Sequence, residues 1–344
     1  MYWLSLSGAS RGIVVGTRLA CDDNDLSNPT PNVAVTNQAL TGGYQLLNYR
    51  VDRQISRGGF SIVYRAFDET GAPVAIKEYL PSSLVLRTEG DIVRASSVEN
   101  LTSFRYGMKC FFEEGRALAK INHPNVVRVL NFFRANETVY MVMRYERGRT
   151  LQQQIQMKQD QMSERLVRHV FMHLLNGLRE VHTHKLLHLD IKPANIYLRT
   201  DGSPVLLDFG AARQTLTTNR PKLAPMYTPG FAAPEQYRDP DRLGPWTDVY
   251  GVGASMFACL AAFAPQAADA RVQEDHLVAA KKIWSGQYSD NLLEVIDWCL
   301  RLDPLERPQS IFALQKAIRD IPPKRRKLTF LDNLKRRLFT EIGA

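Results

Sequence analysis

The stretch His188-Leu189-Asp190-Ile191-Lys192-Pro193-Ala194-Asn195 constrains the chain more than any other. It sets a carboxylate, an ammonium and a carboxamide in one short loop, and Asp208-Phe209-Gly210 follows thirteen residues after Asn195. Two short apolar runs, Ile196-Tyr197-Leu198 and Val205-Leu206-Leu207, lie between them and are split by Thr200-Asp201-Gly202-Ser203. That pattern predicts a β-hairpin. Folded so, it carries Asn195 and Asp208 to the same end of two paired strands, beside Asp190 and Lys192. Two oxygen-bearing side chains then converge where a hard cation can sit, as magnesium held by few protein oxygens and several phosphate oxygens requires. The arrangement points to phosphoryl transfer and demands a nucleotide cradle elsewhere in the chain.

Composition bounds the rest. A chain of 344 residues can bury one large core or two modest ones. The formal charge of +9 is unevenly spread. After Ile321 stand Lys324, Arg325, Arg326, Lys327, Lys335, Arg336 and Arg337 against Asp332 and Glu341. The excess is thus in good part a property of the tail, and nucleic-acid binding by the main domain is not implied. Cys21, Cys110, Cys259 and Cys299 show no CxxC spacing, so reduced thiols in a cytoplasmic compartment are expected. A lipoprotein-type signal ending at Cys21 is disfavoured by Arg18, which falls where an apolar residue is needed. The longest apolar run, Val249 to Ala264, is broken by glycines and too short to span a bilayer.

Residues 1–43 read as a leader or linker, polar and punctuated by Pro and Gly. From Tyr44 the pattern is strand-rich: Leu46 to Ile55 and Ile62 to Phe67 flank Ser56-Arg57-Gly58-Gly59-Phe60-Ser61, and Val74-Ala75-Ile76-Lys77 follows. A glycine-bearing turn lets backbone amides approach phosphates with no Cβ in the way, although such a turn can equally be only a turn. Helical periodicity is expected from Phe111 through Ile121, and carries Glu114. A lysine and a glutamate of this kind could be only a solvated surface pair, but their spacing from the glycine turn and from His123-Pro124-Asn125 argues against that.

The glycine-bearing turn, Val-Ala-Ile-Lys, the helix glutamate, His-x-Asp-x-Lys-Pro-x-Asn, Asp-Phe-Gly and Ala233-Pro234-Glu235 occur in an order and spacing that resembles the protein kinases. The match runs from about Tyr44 to Ile321 and looks like a bacterial Ser/Thr protein kinase of the eukaryotic-like (Hanks) type. The resemblance implies an α+β fold of two lobes. A β-rich N-lobe with one regulatory helix, about 44–143, would sit on a mainly helical C-lobe, about 147–321, with a basic amphipathic tail at 322–344.

The resemblance also implies roles. Asp190 would be the base or orient the attacking hydroxyl, and Lys192 would neutralise the transferring group. Asn195 and Asp208 would hold Mg2+. Lys77 would grip the ATP α- and β-phosphates, and Glu114, rather than the neighbouring Glu113, would fix it. Ser56, Gly58, Gly59, Ser61, Val63, Ala75, Met143 and Tyr145 would complete the nucleotide site, with Met143 at the back of the adenine pocket. Lys192 and Thr228 resemble the serine/threonine rather than the tyrosine enzymes. His188 corresponds to a core histidine packed on Phe209, Asp248 to the aspartate that holds the loop backbone, and Arg307 to the partner of Glu235. The family association suggests protein substrates and a metal-dependent phosphatase as partners.

Three departures stand out. Ser56 and Ser61 replace the first and third glycines of the phosphate loop, which points to reduced ATP affinity. Leu189 replaces the arginine that pairs with an activation-loop phosphate, so dependence on phosphorylating Thr215, Thr217 or Thr218 should be weak. Residues 82–103 form an insertion with a turn at Thr88-Glu89-Gly90-Asp91, either a docking or regulatory element or a surface elaboration. In the tail, Leu328, Leu331, Leu334, Leu338 and Phe339 suit packing on the C-lobe, an anionic membrane surface or a partner. The rival readings are a pseudokinase scaffold and a small-molecule phosphotransferase.

Overall fold

The computed structural model describes residues 37–157, 162–209 and 227–319. The tail and the three loop threonines Thr215, Thr217 and Thr218 lie outside the described residues. The first lobe is built on the strands β1 (Gln45–Leu46), β2 (Tyr49–Arg57), β3 (Ser61–Phe67) and β4 (Pro73–Tyr79). A small hairpin, β5 (Val85–Arg87) with β6 (Val93–Ala95), leads into the helix α1 (Val98–Leu118), and β7 (Val129–Ala135) and β8 (Thr138–Arg144) follow. The main sheet is antiparallel in the order β1-β2-β3-β4-β8-β7. Strand β3 alternates as a half-buried strand must, sending Ile62, Tyr64 and Ala66 into the core. The register sets Val63 opposite Lys77 and Ala75 opposite Met143.

Helix α1 corrects the expected span of 111–121. It begins at Val98, where the Ser97 hydroxyl accepts from the Asn100 N–H, and ends at Leu118. Its buried stripe runs Phe104, Gly107, Phe111, Glu114, Leu118, at alternating steps of three and four. Gly107 hides that stripe from a hydropathy reading, yet it is required. A Cβ there would lie 1.8 Å from the Tyr79 hydroxyl, whose ring stacks on Phe104.

The packed chain also begins earlier than Tyr44. Asn37 is buried, donating to the Val85 carbonyl at 2.7 Å and accepting from the Arg87 N–H at 2.7 Å. Around it lies a buried charged network. Glu78, next to Lys77 on β4, accepts from Arg87 at 2.6 Å, Tyr64 at 2.7 Å and Tyr140 at 2.6 Å. Burial, reinforced by the Glu78 charge, drives both tyrosine pKa values upward, so each hydroxyl keeps its proton and donates. The 82–103 insertion is therefore the β5–β6 hairpin and the first turns of α1, fastened to β4 by an ion pair.

The second lobe is mainly helical. A short strand β9 (Gly148–Thr150) leads to α2 (Leu151–Met157) and to the long α3 (Glu164–Thr183). The expected hairpin forms as β10 (Ile196–Arg199) and β11 (Pro204–Leu206), with Ile196 opposite Leu206. Then come α4 (Pro234–Arg238), α5 (Pro245–Ala261), α6 (Ala268–Gln273), α7 (Ala280–Trp284), α8 (Asp290–Cys299) and α9 (Ile311–Arg319). Helix α5 is buried nearly all round and forms the centre of this lobe. Gly251 lets it touch the loop before the hairpin, since a Cβ would meet the Ile191 carbonyl at 2.9 Å.

Arg87→Met is expected to leave the Glu78 carboxylate buried without its cation. Breaking a buried pair from one side costs about 3–5 kcal/mol. Denaturant unfolding should show that loss, and a change below about 1 kcal/mol would mean that the tyrosines alone hold Glu78.

Candidate active site

One cleft of roughly 360 Å³ runs between the main sheet and the β10–β11 hairpin. Its lining includes Ser56, Val63, Ala75, Lys77, Glu114, Met143, Tyr145, Asn195 and Asp208. Gly58, Gly59 and Ser61 stand at the turn between β2 and β3, outside that lining. Asp190 and Lys192 are also outside it, joined to it through Asn195. Sequence reasoning missed the apolar walls supplied by Ile55, Val127, Met141 and Leu207. Period-2 alternation on β2 and β8 was the signal that could have found Ile55 and Met141.

The cleft holds its charges close together. The Lys77 ammonium donates to Asp208 Oδ1 and lies 5.7 Å from the centre of the Phe111 ring. Glu114 is buried in the same wall, whereas Glu113 points to Arg116 at 3.8 Å on the exposed side of α1. Of the two glutamates, Glu114 therefore lines the cleft and Glu113 does not.

Beside the cleft, Asp190 is gripped from three sides. The Asn195 amide donates to Asp190 Oδ2 at 2.9 Å and to the Asp190 carbonyl at 2.9 Å. The Thr228 hydroxyl donates to Asp190 Oδ1 at 3.1 Å. Lys192 donates to Thr228 at 2.7 Å and stands 2.8 Å from Asp190 Oδ2. With both amide hydrogens of Asn195 turned to Asp190, its carboxamide oxygen is the atom left to a cation. Asn195 and Asp208 thus offer two hard oxygen donors on one wall, a set that fits magnesium shared with phosphate oxygens. Among the described residues no cluster of three or more His, Cys, Asp or Glu side chains could hold a metal by itself.

The loop carrying Asp190 is fastened from below. Asp248, fully buried on α5, accepts from the His188 N–H at 2.9 Å and the Leu189 N–H at 2.7 Å. His182 supplies a third donor at 2.7 Å. Burial alone would raise the Asp248 pKa, but the His182 hydrogen bond and charge together with the His188 N–H outweigh it and hold the carboxyl below its ordinary range. His188 packs on Phe209 with ring centres 4.4 Å apart. It hydrogen-bonds the Leu207 carbonyl through Nε2 and accepts from the Asp190 N–H at Nδ1, which fixes the tautomer with its proton on Nε2. Arg307 grips Glu235 with two bonds of 2.8 and 3.0 Å, both side chains buried. Arg199 does the same to Glu146 in the connector after β8, at 2.8 and 2.9 Å.

The protein kinase domain model matches residues 49–318. The chain belongs to the protein kinase family. Relatives include serine/threonine-protein kinases B and C of Synechocystis sp., 27% and 29% identical over 78% and 80% of this chain. The chain spans 47% and 50% of their lengths. Among solved structures, the apo form of PpkA-294 is 33% identical with a TM-score of 0.73, covering 81% of this chain and 99% of that one. The kinase domain of PknI from Mycobacterium tuberculosis, at 20% identity and a TM-score of 0.61, shows the shared fold, covering 81% of this chain and 98% of that one. The two-lobed kinase fold expected from the motifs is therefore the fold observed, a curled β-rich lobe on a helical one.

The depressed pKa of Asp248 has a sign that can be tested. A carboxyl whose folded pKa lies below its unfolded value of about 3.9 adds stability that is complete above that value. The stability is lost as the pH falls through the lower folded value. Asp248→Asn should lose roughly 2–3 kcal/mol at neutral pH, as hydrogen bonds to a charge are removed. Its unfolding free energy should also fall less steeply with acid below about pH 4. An acid limb as steep as wild type would assign the slope to other carboxyls.

Proposed function

We propose that this chain transfers the γ-phosphoryl group of ATP to serine or threonine hydroxyls of protein substrates, itself included, in bacterial signalling. The observation that carries the reading is the triangle of Asp190, Lys192 and Thr228, set through Asn195 against the cleft that holds Lys77 and Asp208. Phosphoryl transfer needs alignment and charge stabilisation more than covalent help. Asp190 would accept the hydrogen bond of the substrate hydroxyl and take its proton as the new O–P bond forms and the bond from the γ-phosphorus to the departing ADP oxygen breaks. Thr228 and Asn195 hold that carboxylate in one orientation. Lys192, within reach of both, would neutralise the oxygens of the group in flight. Lys77 would hold the α- and β-phosphates, and Glu114 lies in the same wall to position it. Asn195 and Asp208 would hold magnesium, which when bound offsets phosphate charge.

Ser56, Gly58, Gly59 and Ser61 would cover the phosphates, and Val63, Ala75, Met143 and Tyr145 would enclose the adenine. The platform for a protein substrate is supported by Glu235 and Arg307, whose paired burial fixes the segment following Thr228. A cytoplasmic setting and a metal-dependent phosphatase as counterpart complete the proposal. Among the described residues no helix is long and apolar enough to cross a membrane. The basic segment 322–344 is a candidate contact for a partner or an anionic membrane surface.

The test is incubation with labelled ATP and magnesium. The unaltered chain should label itself or a generic protein. Asp190→Ala should lower that rate by about 10²–10⁴-fold, and Asp208→Ala should abolish it. Binding of ATP without transfer would favour the scaffold, and label found only on small molecules would favour the other phosphotransferase. Leu189 has no donor to offer an activation-loop phosphate and is buried. Replacing Thr215, Thr217 and Thr218 together by alanine should therefore leave most of the activity in place, and near-total loss would overturn that inference.

A further inference from the structure

We propose that Gln236 is a positioning residue that clamps the loop bearing Asp190, in a chain whose Leu189 cannot be held by a loop phosphate. The proposal rests on the kinase reading above and adds the means by which the loop is kept in place. Leu189 has φ of 62°, in the left-handed region that a non-glycine residue enters at a cost of about 1–2 kcal/mol. Its side chain is apolar and buried, so its backbone must be fixed through its own N–H and C=O. Asp248 takes the N–H at 2.7 Å. The C=O accepts from the Gln236 amide at 2.9 Å.

Gln236 lies on α4, in the segment that follows Thr228, and its side chain is buried. Its other end is also used, since Oε1 accepts from the Ala233 N–H at 2.9 Å. One carboxamide thus spans two backbones, the loop before Asp190 and the turn into α4. The neighbouring Glu235 is itself locked by Arg307 and by the Thr247 hydroxyl at 2.9 Å, so α4 is a fixed support rather than a floating one. Thr228 bonds the Asp190 carboxylate from the same segment. Side chain and backbone of the Asp190 loop are therefore held by one stretch of chain, through Thr228 and Gln236. An arginine at position 189 would tie the loop to a phosphate; here the tie is a neutral amide present at all times.

Gln236→Met keeps the volume and removes both hydrogen bonds. A displacement of about 1 Å at a catalytic group costs on the order of 10²-fold in rate. The variant should lose about 10–100-fold in kcat, with KM for ATP within about twofold because the nucleotide cleft is untouched. Amide hydrogen exchange at residues 188–191 should speed up about tenfold, as expected for one lost hydrogen bond, while exchange in α3 stays as in the unaltered chain. Gln236→Asn retains an amide but is one methylene short of spanning both bonds, and should show the same pattern if the Met variant does not fold. Unchanged exchange at 188–191 and unchanged kcat overturn the proposal. So does a general loss of protection with kcat and KM moving together, which marks a residue that only holds the fold. An unaltered chain without transfer activity refutes the kinase reading, while the exchange comparison still decides for or against the clamp.

Discussion

The carboxylate of Asp248 is the point on which the site depends. It is buried in α5 and takes three donors, two of them the backbone amides of His188 and Leu189. A hydrogen bond to a charged group is worth about 1.5–3 kcal/mol, and the loop supplies two of them. The left-handed turn at Leu189 costs about 1–2 kcal/mol. The first term is the larger, so the loop adopts the strained turn that satisfies the carboxylate. The turn in turn sets Asp190 where Asn195 and Thr228 can reach it. The placement of Asp190 is thus a consequence of satisfying a charge elsewhere in the core.

The sheet lobe solves an analogous problem around Glu78. That carboxylate sits one residue from Lys77, and Arg87, Tyr64 and Tyr140 converge on it. Its network ties β3, β4, β8 and the β5–β6 hairpin together, with Asn37 closing the hairpin from the amino-terminal side. The chain leaving β4 also reaches the phosphate loop. The Leu80 N–H donates to the Phe60 carbonyl at 2.8 Å and the Ser82 N–H to the Gly59 carbonyl at 3.0 Å. A turn with serines at 56 and 61 in place of glycines has less backbone freedom of its own, and these bonds tie down its tip. The insertion is therefore structural bracing for Lys77 and the turn, which weighs against treating it as mere surface elaboration.

Much of this was legible in the sequence because it lies in short runs of fixed spacing. The β10–β11 hairpin follows from turn residues between two apolar runs, and the family resemblance implied the Asp248 hold on the loop and the Arg307–Glu235 pair, whereas the Thr228–Lys192 bond emerged only in the structure. What was not legible depends on tertiary partners. The start of α1 is masked because Gly107 replaces an apolar residue on the buried stripe, for a reason visible only when Tyr79 is seen against it. Glu78 reads as an exposed charge at the end of a strand until three donors arrive from distant segments. Gln236 carries no signal at all, since a glutamine after Ala-Pro-Glu has no period and no charge to betray its two backbone partners.

The geometry also bears on the choice between an enzyme and a nucleotide-gated scaffold. A scaffold needs the cleft, Lys77 and the oxygens of Asn195 and Asp208, and all of these line one cavity. It has no use for Lys192 and Thr228, which lie outside that cavity and contribute nothing to its walls. Yet these two are bonded to each other and to Asp190 at 2.7 to 3.1 Å, and their side-chain atoms are spent on that contact. Ordering a lysine side chain costs up to about 2 kcal/mol of rotamer freedom, and a pair whose side chains are only 22% and 21% exposed also gives up hydration that its attraction does not readily repay. Stability alone does not account for the triangle. An acceptor hydroxyl presented to Asp190 does, because it would meet a carboxylate already oriented and a cation already in reach.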